Sequence, residues 1–305
     1  MNMAKRKAKA SPSLISDSVW ARVSAEVGQS WELRKELIGR IEAQLNAKVI
    51  LYFTSFYAED AMISDNDAEM IENILSVEHP GGKIVLVLNS AGGLALAAER
   101  IVNVCRAYSG GDFEVIVPHA AKSAATLICF GCSCIRMSPT AELGPVDPQV
   151  KYTNDAGEKE WISAEEYVSS YEELMKNATS GKVSRVEALV QQLMRYDARC
   201  IEKLKSAQAL SESISIKLLK SGMMSDKAET TIKKKMKDFL IHKQTASHGR
   251  MITIPEAKKC GLKIEEIELR SNLWNWLWEL FIRANWTVST RSIKILESTR
   301  TGLRV

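Results

Sequence analysis

Three short runs of β-forming, almost wholly apolar residues are each followed by a helical stretch. They are Lys48–Phe53 (KVILYF), Lys83–Leu88 (KIVLVL) and Glu114–Val117 (EVIV). A strand that is apolar at nearly every position has no face to give to water, so it must be covered on both sides. The intervening segments carry apolar residues at helical spacing, as in Trp31–Leu45 with Leu33, Leu37, Ile38, Ile41 and Leu45, and in the acid-capped stretch Asp65–Ser76. Strands alternating with amphipathic helices dictate a parallel sheet with helices on both faces. From residue 163 to about 240 the pattern turns helical and charged, without a strong strand. Met251-Ile-Thr-Ile, followed by Pro255 and a Gly261 stop, then reads as a strand edge and a short helix. Asn272–Ala284 reads as a tryptophan-rich helix.

Composition narrows the function classes. Of the 305 residues, 46% are apolar and 26% charged, which supplies ample surface for a core and excludes general disorder. A net charge of +4 is too mild to argue for nucleic acid. Six cysteines in a chain of this length are no disulfide scaffold. No secretory signal is visible, and no uninterrupted apolar run approaches the roughly 20 residues of a spanning helix. The expected compartment is the cytoplasm. Residues 1–13 read as a flexible basic tail.

Three segments carry chemistry. Leu88-Asn-Ser-Ala-Gly92-Gly93 lies between a strand and a helix, where two glycines permit a sharp turn with exposed amides. It has neither the Gly-Lys-Ser/Thr of a nucleotide loop nor dinucleotide spacing. In the second segment, Val117-Pro-His-Ala-Ala-Lys-Ser123-Ala-Ala-Thr, a strand leads into a serine that starts an apolar helix among small neighbours. The Ala124 amide would be a second oxyanion donor there. Read alone, the first segment is a tight turn and Ser123 a helix cap. The third, Ala141-Glu-Leu-Gly-Pro-Val-Asp-Pro, is a double-proline turn.

Their order changes the reading. NSAGGLALAAERI, VIVPHAAKSAATLI, AELGPVDPQV and SHGRMITIPEAKKCGL together resemble the serine dehydrogenase proteinase family, relatives of signal peptide peptidase A with the Clp-protease/crotonase fold. The resemblance covers about residues 30–268. It implies an α/β fold with a ClpP/crotonase-like repeated β-β-α superhelical core over residues 14–268. It also implies a long helical insertion at about 160–243 and a C-terminal helix and tail at 269–305. It implies a serine peptidase with Ser123 as nucleophile, Gly92, Gly93 and the Ala124 amide as oxyanion hole, a polypeptide substrate, a homo-oligomer, and neither cofactor nor metal.

The sequence departs from that pattern where a Clp protease has its histidine base, since the stretch before Asp147-Pro148 reads Leu143-Gly-Pro-Val146. The usual Ser-Gly-Gly-Thr is Ser123-Ala-Ala-Thr126. The base is therefore sought elsewhere: His248 first, a helical lysine (Lys176 or Lys182) next, and His119 last. The alternative function is an inactive Clp-fold scaffold or regulatory binding protein; an acyl-CoA enzyme of the crotonase type would have no need of Ser123. Cys129, Cys132 and Cys134 lack a second ligand pair for zinc and read as core residues. The tryptophan-rich helix reads as oligomer or core packing, with peripheral membrane contact as the other reading.

Overall fold

The apolar runs form the middle of a seven-stranded sheet whose strands lie in the spatial order Gly302–Arg304, Lys294–Glu297, Lys48–Thr54, Ile84–Asn89, Phe113–Val117, Ile135–Met137, Ile264–Glu266. The computed structural model describes residues 18–26, 31–153, 157, 159–180, 186–240 and 250–305. Its strands are β1 (Lys48–Thr54), β2 (Ile84–Asn89), β3 (Phe113–Val117), β4 (Ala120–Ala121), β5 (Ile135–Met137), β6 (Glu142–Leu143), β7 (Gln149–Thr153), β8 (Lys159–Ser163), β9 (Ile264–Glu266), β10 (Lys294–Glu297) and β11 (Gly302–Arg304). Its helices are α1 (Val19–Ala25), α2 (Trp31–Leu45), α3 (Asp65–Glu78), α4 (Ala95–Ser109), α5 (Ala124–Phe130), α6 (Ala164–Thr179), α7 (Val186–Leu193), α8 (Ala198–Lys220), α9 (Glu229–Lys235), α10 (Lys237–Leu240), α11 (Ile254–Lys259) and α12 (Asn272–Thr290).

Strands β1, β2, β3, β5 and β9 run parallel. Side chains alternate between the two faces of a strand, so each apolar run feeds two cores. Ile50, Tyr52, Leu86, Leu88, Val115 and Val117 join one core with α3, α4, α5 and α8. Val49, Leu51, Phe53, Val85, Val87 and Ile116 join the other with α2 and α12. This double coverage is why the runs lack a polar alternate.

Two regions differ from the sequence reading. Residues 269–305 are more than a helix and tail: β10 pairs antiparallel with β1, and β11 with β10, closing one sheet edge. The signal was hidden because β10 begins and ends in charge, at Lys294 and Glu297. Both are buried, paired with Asp67 and Arg34 respectively. Before the helical insert, β7 and β8 form a separate antiparallel hairpin whose second strand takes up the insert's first residues. The tryptophans of α12 pack inward: Trp274, Trp276, Trp278 and Trp286 lie against the second core. Trp278 is 5.3 Å from Phe281, and Trp286 is 5.2 Å from Trp20 of α1, centroid to centroid. Among the described residues no helix is long and apolar enough to cross a membrane.

Candidate active site

In a parallel sheet the loops at the carboxyl ends of the strands surround the site. Here β1, β2 and β3 deliver the loops containing Ser55, Gly92–Gly93 and Ser123. The loops are stitched together from the backbone up. The Ser90 amide donates to the Ala120 carbonyl at 3.1 Å and the Lys122 amide to the Ser90 carbonyl at 3.0 Å. The Ala120 amide donates to Asn89 Oδ1 at 3.1 Å. Ser90 Oγ sits 2.8 Å from Thr54 Oγ1 and accepts from the Gly92 amide at 3.1 Å. The strand–glycine–glycine turn and the serine turn are thus one hydrogen-bonded unit.

Ser123 has φ 49° and ψ −119°, directly before α5. A side chain in that region costs roughly 1–3 kcal/mol and persists only where the surroundings enforce it. Gly92, at φ 108°, shows the enforcement: a Cβ there would lie 2.6 Å from Ser123 Cβ and 2.7 Å from the Lys122 carbonyl oxygen. Gly93 is held just as closely from the other side, where a Cβ would lie 2.3 Å from the Ile63 nitrogen. Ile63 donates to the Gly92 carbonyl and accepts from the Leu94 amide, both at 2.9 Å, and so brackets Gly93. Among the described residues neither the Gly93 nor the Ala124 amide has an intramolecular acceptor. Two unspent amides in the cleft that the strained Ser123 also lines are suited to an oxyanion. Behind it, Thr126 Oγ1 lies 2.8 Å from the Ala121 carbonyl oxygen and 2.9 Å from that of Gly144, tying the Gly-Pro-Val-Asp-Pro turn to α5.

Ser123, Gly92, Gly93 and Ala124 line one cleft of about 820 Å³. Its walls are largely apolar and include Phe56, Tyr57, Leu96, Leu127, Trp161 and Leu210. Sequence reasoning missed these walls. Tyr57 is 89% exposed and Leu96 59%, apolar side chains left in the open where packing offers no reason for them. The signal for them is Ser55-Phe-Tyr-Ala58, aromatic residues directly after a buried strand. Across the mouth, Lys151 of β7 pairs with Glu59 at 2.8 Å, its ammonium 5.8 Å from the Trp161 ring centroid.

The predicted residues fall in different places. Ser123, Gly92, Gly93 and Ala124 come together. His119 does not line the cleft; it stacks on Phe281 of α12 at 5.2 Å. Its ring is exposed on one side, and desolvation of the covered part lowers its pKa, with the Glu142 carboxylate opposing and Lys122 reinforcing. Lys176 is exposed in the last turn of α6 and is not among the cleft residues. His248 and Lys182 lie outside the described residues. Lys122, the neighbour of Ser123, pairs with Glu142 at 2.6 Å and donates to the Leu143 and Arg250 carbonyls at 3.4 Å. The cysteines are all free; burial raises the Cys129 and Cys132 thiols. The described residues contain no cluster suited to a metal ion.

Parallel central strands that present a strained serine in one cleft with the Gly92–Gly93 turn and the start of α5 define a Clp-like class of site. The chain belongs to the ClpP-like SDH-type serine proteinase family, whose model matches residues 32–212, more than half of its length. Two uncharacterized proteins of Methanocaldococcus jannaschii are similar. MJ0137 is 39% identical over 88 residues, 29% of this chain and 30% of that one. MJ1495 is 28% identical over 134 residues, 44% and 46% of the two. The chain thus matches less than half the length of either. Among solved structures, the 1510-N membrane-bound stomatin-specific protease is similar in two forms. A serine-to-alanine mutant has a TM-score of 0.40 at 17% identity, covering 78% of this chain and 86% of that one. A lysine-to-alanine mutant in complex with a substrate peptide has a TM-score of 0.30 at 14% identity, covering 72% and 93%.

Proposed function

We propose that this chain is a serine peptidase acting through an acyl-enzyme on Ser123. The observation that carries the reading is that Ser123, strained in its backbone, lines one apolar cleft with Gly93 and Ala124, whose amides have no acceptor among the described residues. In this mechanism Ser123 Oγ gives its proton to a base and attacks a peptide carbonyl. The tetrahedral oxyanion is taken by the two amides, the leaving amine departs protonated, and water hydrolyses the ester. The apolar walls favour polypeptide stretches with apolar side chains.

The base remains the finer part of the proposal. His248 stands first: Arg250, two residues on, already has its carbonyl on the Lys122 ammonium beside Ser123. Lys182 stands next, and Lys176 and His119, placed off the cleft, stand last. A homo-oligomer of Clp type and a cytoplasmic location complete the proposal, the latter suiting six free thiols. The test is cleavage of fluorescent casein by the wild-type chain and by Ser123→Ala, His248→Ala and Lys182→Ala. Loss of turnover with Ser123→Ala and with one base variant supports the reading. A folded wild type that binds casein without cleaving it favours the scaffold instead.

A further inference from the structure

We propose that Lys294 and Asp67 are positioning residues that hold the Gly93 amide in place for the oxyanion, an inference resting on the peptidase reading above. Lys294 belongs to β10, beyond residues 32–212, and no sequence motif pointed to it. Its side chain is only 6% exposed. The ammonium donates to the Met62 carbonyl at 2.7 Å, to Asp67 Oδ2 at 2.8 Å and Oδ1 at 3.0 Å, and to Ser64 Oγ at 3.3 Å. Asp67, fully buried, also accepts the Ser64 amide at 2.7 Å in the capping box that opens α3. Residues 62 and 64 are therefore fixed on either side of Ile63.

Ile63 is the residue that brackets Gly93. Its amide holds the Gly92 carbonyl and its carbonyl holds the Leu94 amide, each at 2.9 Å. The contact is so close that only a glycine fits opposite. The chain of contact thus runs from a charge pair in the C-terminal strand, through one backbone segment, to the amide on which the oxyanion would form. A buried lysine and aspartate of this kind need not add net stability, since desolvation offsets their attraction. Their contacts to the Met62 carbonyl, the Ser64 amide and the Ser64 hydroxyl, which reaches both groups, fix this one segment. Neither group lines the cleft, so neither touches substrate.

The test separates packing from positioning. Lys294→Met alone leaves Asp67 buried without its cation and is expected to lose stability. The double variant Asp67→Asn/Lys294→Met removes both charges, keeps an acceptor for the Ser64 amide and frees the Met62 carbonyl. It is expected to fold with a Tm near wild type. Hydrogen exchange at the Ile63 and Leu94 amides is expected to quicken at least tenfold in it. Its saturating rate of phosphonylation by a fluorophosphonate is expected to fall at least tenfold, because a displaced oxyanion donor costs transition-state binding. The half-saturating probe concentration should stay unchanged. Lys294→Arg should recover part of the rate. Wild-type exchange at both amides, or an undiminished phosphonylation rate, in the folded double variant overturns the proposal. A wild type that the probe never labels sinks the peptidase reading instead, and the exchange rates still decide whether the clamp exists.

Discussion

Ser123 carries a conformation that suits glycine better than serine, at φ 49° and ψ −119°. Ser123→Gly is therefore expected to stabilise the chain by about 1 kcal/mol relative to Ser123→Ala, the relieved strain exceeding the extra chain entropy of glycine. Urea unfolding of the two variants measures this; equal midpoints would mean that the turn is unstrained. Gly93→Ala faces the opposite situation. Its Cβ would meet the Ile63 nitrogen at 2.3 Å, so overpacking should cost about 1–3 kcal/mol and the Ile63 bracket should open. His119 supplies a pH signature. Partial desolvation of its otherwise exposed ring lowers its folded pKa below the unfolded value. The native state then binds fewer protons than the unfolded one, and the stability His119 gives above its unfolded pKa is lost as pH falls. His119→Gln should flatten the stability profile between about pH 7 and pH 5, checked by denaturation across that range.

At the scale of elements, the central strands β1, β2 and β3 were legible because their burial on both faces leaves no polar position to confuse the pattern. Trp31–Leu45 was read as a helix from its apolar spacing and is α2. The turns around Ser123 and Gly92–Gly93 were legible because strained backbone demands small residues locally. The strand β10 was not, since its charged ends are neutralised by residues far away in sequence. Arg34 donates to both Glu297 oxygens, at 2.6 and 2.7 Å, and to Thr287 Oγ1 at 3.1 Å, joining α2, β10 and α12. Arg34 and Glu297 are both fully buried. Removing one partner strands the other charge, so Glu297→Gln should destabilise by roughly 3–5 kcal/mol. Thermal or chemical unfolding checks this, and a loss below 1 kcal/mol would show that the pair is dispensable.

For the whole molecule, one cleft brings Ser123 together with Gly93 and Ala124, while Lys294 of β10 braces the Met62–Ser64 segment that brackets Gly93. The cleft's apolar walls could not be read from spacing, because they come from the β1 loop, α4, α5, β8 and α8 together. Treatment of the folded chain with a fluorophosphonate probe, followed by mass spectrometry of its peptides, tests the central claim most directly. One covalent adduct on Ser123 is expected, lost in Ser123→Ala and slowed in Gly93→Ala. A folded chain without an adduct, or one modified equally after Ser123→Ala, would contradict it.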